Sequence, residues 1–421
     1  MVNPTPATPV PAASPLPVSR RLGKRLGVLA LATLGAALLA EGLVLLLLGE
    51  QVKFPRHVVG APFGLRVNQP NAGYRHKSPD VDVWFRINSQ GMRANRDYPK
   101  EKPAGVKRIL SLGDSFTIGY EVEVEQCFSS VLERTLRAMG HENLEVLNAG
   151  VSGYSTAEEC LYLERELLQY DPDLVLVSFY TNDLQDNLRT ELFRLDDGGL
   201  KQDRAEYVPL GRWGNFLNTN PVLSFLSSYS NAFAFLKEKF TREYKKERAE
   251  DLRHEKLAEL TEEYARPSAP PPKPPEPAAV APKEPPKEPP RTEEEPKHSP
   301  DVAKNMAHYS KRLAAAILRR MLEDCRARGI PLVIQVIPHL GQNSQGKDKL
   351  LTSFPYAAFD AAVDFSQPGL GFVDARALLE PHLEKEQLYW LRSHRHWTPF
   401  SHELSGKALA EYIEAQGFLR R

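Results

Sequence analysis

Residues 108–119 read RILSLGDSFTIG, an apolar run that ends at Gly113 and is followed at once by Asp114 and Ser115. A short apolar run that stops at a glycine is typical of a buried strand entering a turn. Residues 126–139 then carry apolar side chains at helical spacing. The stretch therefore predicts a strand, a polar turn and a helix in succession, which is the first half of a βαβ unit.

The same alternation continues along the chain and predicts a mainly parallel sheet with helices on both faces. Residues 173–180, DLVLVSFY, form a nearly continuous apolar run, which indicates a strand buried on both sides. Residues 54–100 are expected to add a β-element ahead of the first central strand. The further predicted strands are 145–147, 331–337 and 372–374, and the further predicted helices are 156–169, 302–329 and 401–416.

Near the N-terminus, residues 26–49 contain a single charged side chain, Glu41. As a helix this run is about 36 Å long at 1.5 Å per residue, which exceeds the roughly 30 Å of a hydrocarbon core. A signal peptide has a shorter apolar core and a small-residue cleavage site, so we expect a transmembrane anchor. A cleaved signal and a buried core helix are the alternatives, and Glu41 is expected to be protonated, to snorkel or to meet a partner helix.

The charges beside this run set its expected orientation. Positive side chains collect on the cytoplasmic side of a span. Residues 1–25 are expected to form a disordered cytoplasmic tail, and the rest of the chain is expected outside the bacterial inner membrane, in the periplasm. The cations just before the run are Arg20, Arg21, Lys24 and Arg25.

Two further segments interrupt the α/β pattern and divide the predicted domain into residues 54–186 and 302–421. Residues 187–265 are expected to be a largely helical insertion that packs as a lobe over one end of the sheet. In residues 267–300, 14 of the 34 residues are proline, so 266–301 should be an extended disordered spacer. The aromatic residues expected to hold the lobe are Trp213, Phe216, Phe225, Tyr229 and Phe233.

The composition excludes several classes of function. The 54 Lys and Arg residues balance 54 Asp and Glu residues, whereas a nucleic-acid-binding protein carries a basic excess. Three cysteines are too few and too scattered for a disulfide framework or a zinc cluster. The paired acids Asp183 and Asp186 are better explained as helix caps than as metal ligands. We therefore expect neither a nucleic-acid partner nor a metal or other cofactor.

Polar residues follow the predicted strands, where ligands of open parallel sheets bind, and they suit acyl transfer. Ser115 lies in a strand-to-helix turn, near the N–H groups of a helix N-terminus that favour an oxyanion. His396, from just before the closing helix, would take the serine proton. The Gly153 N–H and the Asn182 side chain would supply two further hydrogen-bond donors.

The segments RILSLGDSFTIG, NAGVSGYST, SFYTNDL and HWTPFSHELSGKALA together resemble the SGNH, or GDSL-type, hydrolase superfamily. The resemblance covers roughly residues 80–186 and 302–416, and it implies a flavodoxin-like three-layer α/β/α sandwich. It also implies roles: nucleophile for Ser115, base for His396, and an oxyanion hole made with Gly153 and Asn182. The anchor and the upstream segment INSQGMRANRDYP resemble envelope-attached bacterial members.

One departure from the superfamily concerns the acid that orients the catalytic histidine. Relatives usually carry an Asp two or three residues before it, but His394 and Ser393 occupy those positions here. A backbone carbonyl or a distant acid would have to replace it. Asp374 and Glu403 are acids nearby in sequence, and His394 and Asp114 are candidate accessory residues. An inactive binding relative is the remaining alternative.

The expected function is a membrane-anchored serine hydrolase that cleaves an ester of an envelope polysaccharide or lipid through an acyl-serine. An O-acyltransferase on the same scaffold, which passes the acyl group to a second hydroxyl, is the alternative within the superfamily. A non-catalytic, anchored binding protein is the alternative outside it.

Overall fold

The computed structural model describes residues 18–48, 58–196, 199–208, 216, 220–237, 239–240, 243, 300–360 and 368–420. The predicted proline-rich spacer at 266–301 lies almost wholly outside these residues. The strands are β1 Val58–Gly60, β2 Arg66–Asn68, β3 Gly73–Lys77, β4 Asp82–Arg86, β5 Lys107–Gly113, β6 Leu144–Asn148, β7 Leu174–Phe179, β8 Phe193–Asp196, β9 Gly199–Gln202, β10 Leu332–Val336, β11 His339–Gln342, β12 Asp348–Leu351 and β13 Leu370–Asp374.

The helices and short turns between the strands follow the same order. The α-helices are α1 Val18–Leu48, α2 Phe128–Ala138, α3 Thr156–Arg165, α4 Asp183–Thr190, α5 Pro221–Tyr229, α6 at residues 231–237, α7 Pro300–Arg326, α8 Tyr356–Asp360, α9 Ala375–Leu379 and α10 Pro399–Gln416. Single 3₁₀ turns lie at Val124–Gln126, Leu167–Tyr170 and Glu380–His382.

The central sheet has five strands in the order β13-β10-β7-β5-β6, and every neighbouring pair is parallel. This confirms the predicted parallel sheet, whose strands come from both sides of the insertion. All six residues of β7 are buried, as its unbroken apolar run indicated. Since β5 and β7 are neighbours, the loops that follow them, with Ser115 and Asn182, leave the sheet at the same edge.

Two apolar layers cover the sheet because successive strand residues point to opposite faces. Leu110 and Leu112 of β5 lie in a cluster with α3 and α7, whereas Ile109 lies in a second cluster with α2 and α10. The three cysteines, Cys127, Cys160 and Cys325, are buried and free of disulfides. Helices therefore pack on both faces, which gives the three-layer α/β/α sandwich.

The β-element predicted at 54–100 comprises two antiparallel hairpins, of which β3–β4 matters for the site. Its residues Tyr74 and Phe85 pack in a third buried cluster with Ile118 and Tyr120, from the loop after Ser115. Arg93 stacks on the Phe85 ring, with 3.7 Å from its guanidinium carbon to the ring centroid. It also donates a hydrogen bond of 2.7 Å to the Val122 carbonyl, so the hairpin fixes this loop.

Two segment predictions differ from the structure. Helix α1 begins at Val18, so residues 18–25 are helical rather than part of a disordered tail. The insertion was expected to be largely helical, but it includes an antiparallel β8–β9 hairpin. The aromatic side chains expected to hold the lobe do not all pack: Phe225 and Tyr229 are 60% and 69% exposed.

Burial of His402 in α10 makes the stability of the fold dependent on pH. Its Nδ1 accepts a hydrogen bond of 3.2 Å from the Phe128 N–H, and burial lowers the pKa of this imidazole to about 3. Below pH 6.5 the His402 imidazole binds a proton in the unfolded chain but not in the folded chain. Stability is therefore fully present above that pH and falls by roughly 1.4 kcal/mol per pH unit as the pH drops towards 3.

We expect His402→Asn, whose amide oxygen can still accept from Phe128, to lose this pH dependence. Between pH 7 and pH 5 the parent should lose about 2 kcal/mol more unfolding free energy than the variant. Urea unfolding at the two pH values measures the difference. Equal losses in the two proteins would contradict the assignment of this titration to His402.

Candidate active site

The turn after β5 is shaped by Gly113, which has φ +154°. A Cβ atom at this position would lie 2.0 Å from Thr117 Oγ1 and 2.8 Å from Thr117 Cβ, so only glycine fits. Beyond it, the buried Asp114 carboxylate accepts a hydrogen bond of 2.9 Å from the Phe116 N–H. Ser115 is therefore held at the carboxyl end of the strand, half-exposed.

His396 reaches this serine from the loop before α10. Its Nε2 lies 2.7 Å from Ser115 Oγ, within hydrogen-bonding distance. A tight turn fixes the loop, because the Trp390 N–H donates to the His396 carbonyl at 2.9 Å. The rings of Phe116 and Tyr120 lie beside the imidazole, with centroids 5.0 Å and 5.2 Å from its own. The serine and histidine predicted from the sequence are thus brought together.

Glu121, which the sequence analysis missed, lies behind the histidine. Its Oε2 is 3.4 Å from His396 Nδ1, and its side chain is fully buried. Burial alone would raise the pKa of this carboxyl group, but interactions with His396 and His76 outweigh burial and hold it well below its ordinary value. A buried carboxylate therefore faces the second nitrogen of the imidazole, the place of the orienting acid in a catalytic triad.

The backbone of Glu121 explains how an acid so close in sequence to Ser115 reaches this position. Its φ is +73°, a conformation that non-glycine residues seldom adopt and that is concentrated at functional sites. The two acids that the sequence analysis named, Asp374 and Glu403, are engaged elsewhere: Asp374 with Tyr356 and Arg376, and Glu403 with Arg134 and Lys407.

Glu121 also faces His76, whose Nε2 lies 3.6 Å from its Oε1. His394, the predicted accessory residue, is exposed, and its ring centroid is 6.0 Å from that of His396 and 6.1 Å from that of His76. The ligand atoms of His76, Glu121 and His394 lie within 4.8 Å of one another, so among the described residues this group has the side chains to hold a cation. A cation there would compete with His396 for Glu121.

Gly153 lies in the loop after β6 with φ +76°. Its carbonyl accepts a hydrogen bond from Arg66, which also pairs with the buried Glu158 through bonds of 2.8 Å and 3.1 Å. The Tyr154 hydroxyl in turn donates to the Arg66 carbonyl. The carbonyl of Gly153 is thus held by Arg66, and its N–H makes no hydrogen bond within the described part of the chain.

Asn182 is the N-cap residue of α4, three residues after the end of β7, and its Nδ2 donates a hydrogen bond of 3.1 Å to the Asp186 carboxylate. Burial raises the pKa of Asp186 to about 6, although Arg189 opposes the shift.

Deeper in the site, burial raises the pKa values of Asp114, Glu159 and Asp183, and the mutual repulsion of these acids raises those of Glu159 and Asp183 further. Of these acids, Asp114 lies next to the proposed nucleophile, with its carboxylate 3.5 Å from Ser115 Oγ.

Comparison with known proteins agrees with this arrangement. Residues 111–266 match the GDSL-like Lipase/Acylhydrolase family. An arylesterase of Vibrio mimicus is 35% identical over 77 residues, which is 18% of this chain and 38% of the relative. The chain thus aligns with less than two-fifths of that relative.

Solved structures of low sequence identity are also similar. A putative lipolytic protein of the G-D-S-L family from Desulfitobacterium hafniense DCB-2 has a TM-score of 0.32 at 9% identity, over 73% of this chain and 99% of that one. A catalytic mutant of an acetylxylan esterase from Geobacillus stearothermophilus has a TM-score of 0.33 at 12% identity, over 76% and 96% of the chains. The loop that carries Ser115 lies within residues 111–266, the part of the chain that matches the GDSL-like Lipase/Acylhydrolase family.

Proposed function

We propose that this protein is a serine hydrolase that cleaves an acyl or acetyl ester through an acyl-serine intermediate. The observation that carries the proposal is the chain of contacts from Ser115 Oγ to His396 Nε2 and from His396 Nδ1 to Glu121. A hydroxyl, an imidazole and a carboxylate in this order are the arrangement that activates a serine for attack on a carbonyl. Glu121 also removes the main reason to regard the chain as an inactive relative, since an acid is available to orient the base.

In the proposed reaction, Ser115 Oγ attacks the ester carbonyl while His396 Nε2 takes the serine proton. The imidazolium that forms is stabilised by the Glu121 carboxylate. As the tetrahedral intermediate collapses, the imidazolium protonates the leaving alcohol and the acyl group stays on Ser115. His396 then takes a proton from a water molecule, which attacks the acyl-serine. As the second tetrahedral intermediate collapses, the imidazolium returns this proton to Ser115 Oγ and the acid is released.

The oxyanion would be bound by the N–H groups of Ser115 and Gly153 and by the Asn182 amide. Fixed donors of this kind contribute much of the rate of acyl transfer, because they are already oriented before charge develops. The contact between Arg66 and the Gly153 carbonyl supports such fixation. Asn182 must exchange its bond to Asp186 for one to the oxyanion, so we propose that this donor turns when substrate binds.

We further propose that α1 is a retained anchor in the bacterial inner membrane, with the N-terminus in the cytoplasm and the hydrolase domain in the periplasm. Leu22–Leu47 is long and apolar enough to cross a bilayer, and the described residues leave its most apolar stretch unburied. The positive charges that precede it favour this orientation. An enzyme held there would meet envelope polysaccharide and lipid, which we propose as the source of its ester substrate.

A fluorophosphonate probe tests the proposed nucleophile. We expect one probe per chain on the peptide that contains Ser115, identified by mass spectrometry, because an activated serine attacks the phosphorus centre. Heat-unfolded protein is the control and should not react. A folded chain that stays unlabelled would contradict a serine-hydrolase mechanism.

Acetylated oligosaccharides offered with and without an acceptor sugar then separate hydrolase from transferase. Release of acetate without acceptor supports hydrolysis. Acetyl transfer that requires the acceptor would replace the hydrolase by an O-acyltransferase using the same acyl-serine.

A further inference from the structure

The helical hairpin α5–α6 presents an apolar surface that the described residues do not cover. Residues 213–236 contain no Asp, Glu, Lys or Arg. On α5, Val222, Phe225 and Tyr229 follow one another at the spacing of a single helix face and are 65%, 60% and 69% exposed. Leu236 of α6 is 64% exposed. The outward face of a water-soluble helix is usually polar, so this surface indicates a non-aqueous neighbour.

The hairpin is attached to the apolar helix α1 through Glu41. Glu41 Oε1 accepts hydrogen bonds from the Asn231 N–H at 2.7 Å and from Asn231 Nδ2 at 2.6 Å. Its Oε2 accepts from the Ser230 hydroxyl at 2.9 Å and from the Ala232 N–H at 3.0 Å. Four donors of the turn between α5 and α6 therefore converge on the one charged side chain of the run 26–49.

These donors are those that the beginning of a helix leaves without intrahelical partners. Glu41 takes the first two N–H groups of α6, and the Ser230 hydroxyl accepts from the Phe233 N–H at 3.1 Å. A carboxylate at a helix N-terminus is also favoured by the helix dipole. An intramembrane acid is costly unless it has such partners, so the hairpin supplies what Glu41 requires inside a bilayer. The hairpin is therefore the partner helix that the sequence analysis gave as one of three alternatives for Glu41.

The position of Glu41 along α1 sets the depth of the hairpin. The midpoint of Leu22–Leu47 lies between residues 34 and 35, so Glu41 is about 10 Å from it along the helix axis at 1.5 Å per residue. The half-thickness of the hydrocarbon core is about 15 Å. Glu41 then lies roughly 5 Å inside the core, in the leaflet nearer the hydrolase domain. Tyrosine side chains such as Tyr229 are enriched at the membrane–water interface that borders this depth.

We propose that α5 and α6 form a membrane-embedded hairpin that lies in the outer leaflet beside α1, with its apolar face against lipid acyl chains. The inference rests on the proposed anchor, because a cleaved α1 could not hold the hairpin. It assigns the apolar part of the insertion to the bilayer rather than to the sheet. The hydrolase domain is then attached to the membrane at two points, α1 and the hairpin, which restricts its rotation about the anchor.

Environment-sensitive labels in phosphatidylcholine vesicles test this placement. The three native cysteines are buried and free, so a fluorophore can be placed on Phe225→Cys and Leu236→Cys in the full chain. Leu34→Cys, 56% exposed in α1, reports on the anchor itself. Trp84→Cys is the matched control, because Trp84 is an equally exposed large aromatic residue, at 53%, on the β3–β4 hairpin.

Quenchers attached to lipid acyl chains should remove most of the fluorescence at residues 34, 225 and 236 and leave residue 84 unaffected, whereas iodide in the water should do the reverse. A lipid-quenched label at 34 together with water-exposed labels at 225 and 236 would overturn the hairpin proposal and leave the anchor intact. A water-exposed label at 34 would overturn the anchor, and the hairpin proposal with it.

Glu41→Leu tests the attachment. The substitution removes the acceptor for four donors, and we expect the label at residue 225 to become accessible to iodide while the label at 34 stays in lipid. Unchanged quenching at both positions would show that Glu41 does not hold the hairpin.

Discussion

Ser115→Ala is expected to lower kcat for ester hydrolysis by about 10⁴- to 10⁶-fold, to a residual rate supplied by binding and the oxyanion donors alone. The effect is large because the alanine removes the atom that forms the acyl intermediate, and nothing else in the turn replaces it. Asp114, the neighbouring acid, is buried and bonded to the Phe116 N–H, so it is not placed to attack in its stead. Hydrolysis of p-nitrophenyl acetate by purified full chain measures the loss.

The variant should fold normally, since the hydrogen bonds of Ser115 Oγ are to the site residues His396 and Asp114 and the alanine creates no large cavity. Ser344→Ala, in the exposed turn between β11 and β12, is the matched control and should retain the parent rate. Substrate binding should persist in Ser115→Ala, seen as an unchanged Kd for a non-hydrolysed ester analogue. A variant that hydrolyses as fast as the parent would show that Ser115 is not the nucleophile.

The sheet and the meeting of Ser115 with His396 could be predicted because both depend on local, periodic signals. Each central strand is an apolar run ending in a polar turn, and parallel strands bring those turns to one edge. His396 precedes the last helix, α10, which packs beside α2 through Phe128 and Leu409. A pattern of this kind fixes which loops converge before any side-chain detail is known.

Glu121 could not be predicted in the same way, because its role depends on one strained backbone conformation. Residues 120–122 read YEV, which gives no sign that the central residue takes a positive φ and turns its carboxylate inward. The turn is imposed by the β3–β4 hairpin and by Arg93, which are separated from it in sequence. The one available signal was the missing acid before His396, which implied that some other carboxylate must replace it.

The wrong prediction for the aromatic residues of the insertion has a related physical cause. Apolar side chains in a sequence predict burial but not the medium that buries them. Phe225 and Tyr229 were expected to pack on the sheet, whereas the structure leaves them exposed beside the apolar helix α1. The contacts of Glu41 with the α5–α6 hairpin are the observation that favours lipid, rather than the sheet, as the neighbour of these aromatic side chains.

Glu121→Gln is expected to lower kcat by about 10²- to 10⁴-fold with little change in KM. The amide keeps the shape of the side chain but carries no negative charge to stabilise the imidazolium, and its NH₂ group can face His396 Nδ1 and favour the wrong tautomer. Steady-state kinetics on a soluble ester separate kcat from KM. Glu125→Gln, on the exposed side of the same loop, is the matched control and should behave as the parent.

A rescue experiment distinguishes orientation of the histidine from a general effect on folding. The Ser393 hydroxyl lies close enough to Glu121 to help lower its pKa, and position 393 is where related hydrolases usually carry their acid. In the Glu121→Gln background, Ser393→Asp places a carboxylate beside the same imidazole, and we expect it to recover part of the lost kcat. In the parent, Ser393→Asp would put two carboxylates together and should instead reduce activity. Suppose the double variant is no faster than Glu121→Gln alone while both proteins are as stable as the parent. That result would show that Glu121 does not act by orienting His396, because the negative charge would have been restored without any recovery of kcat.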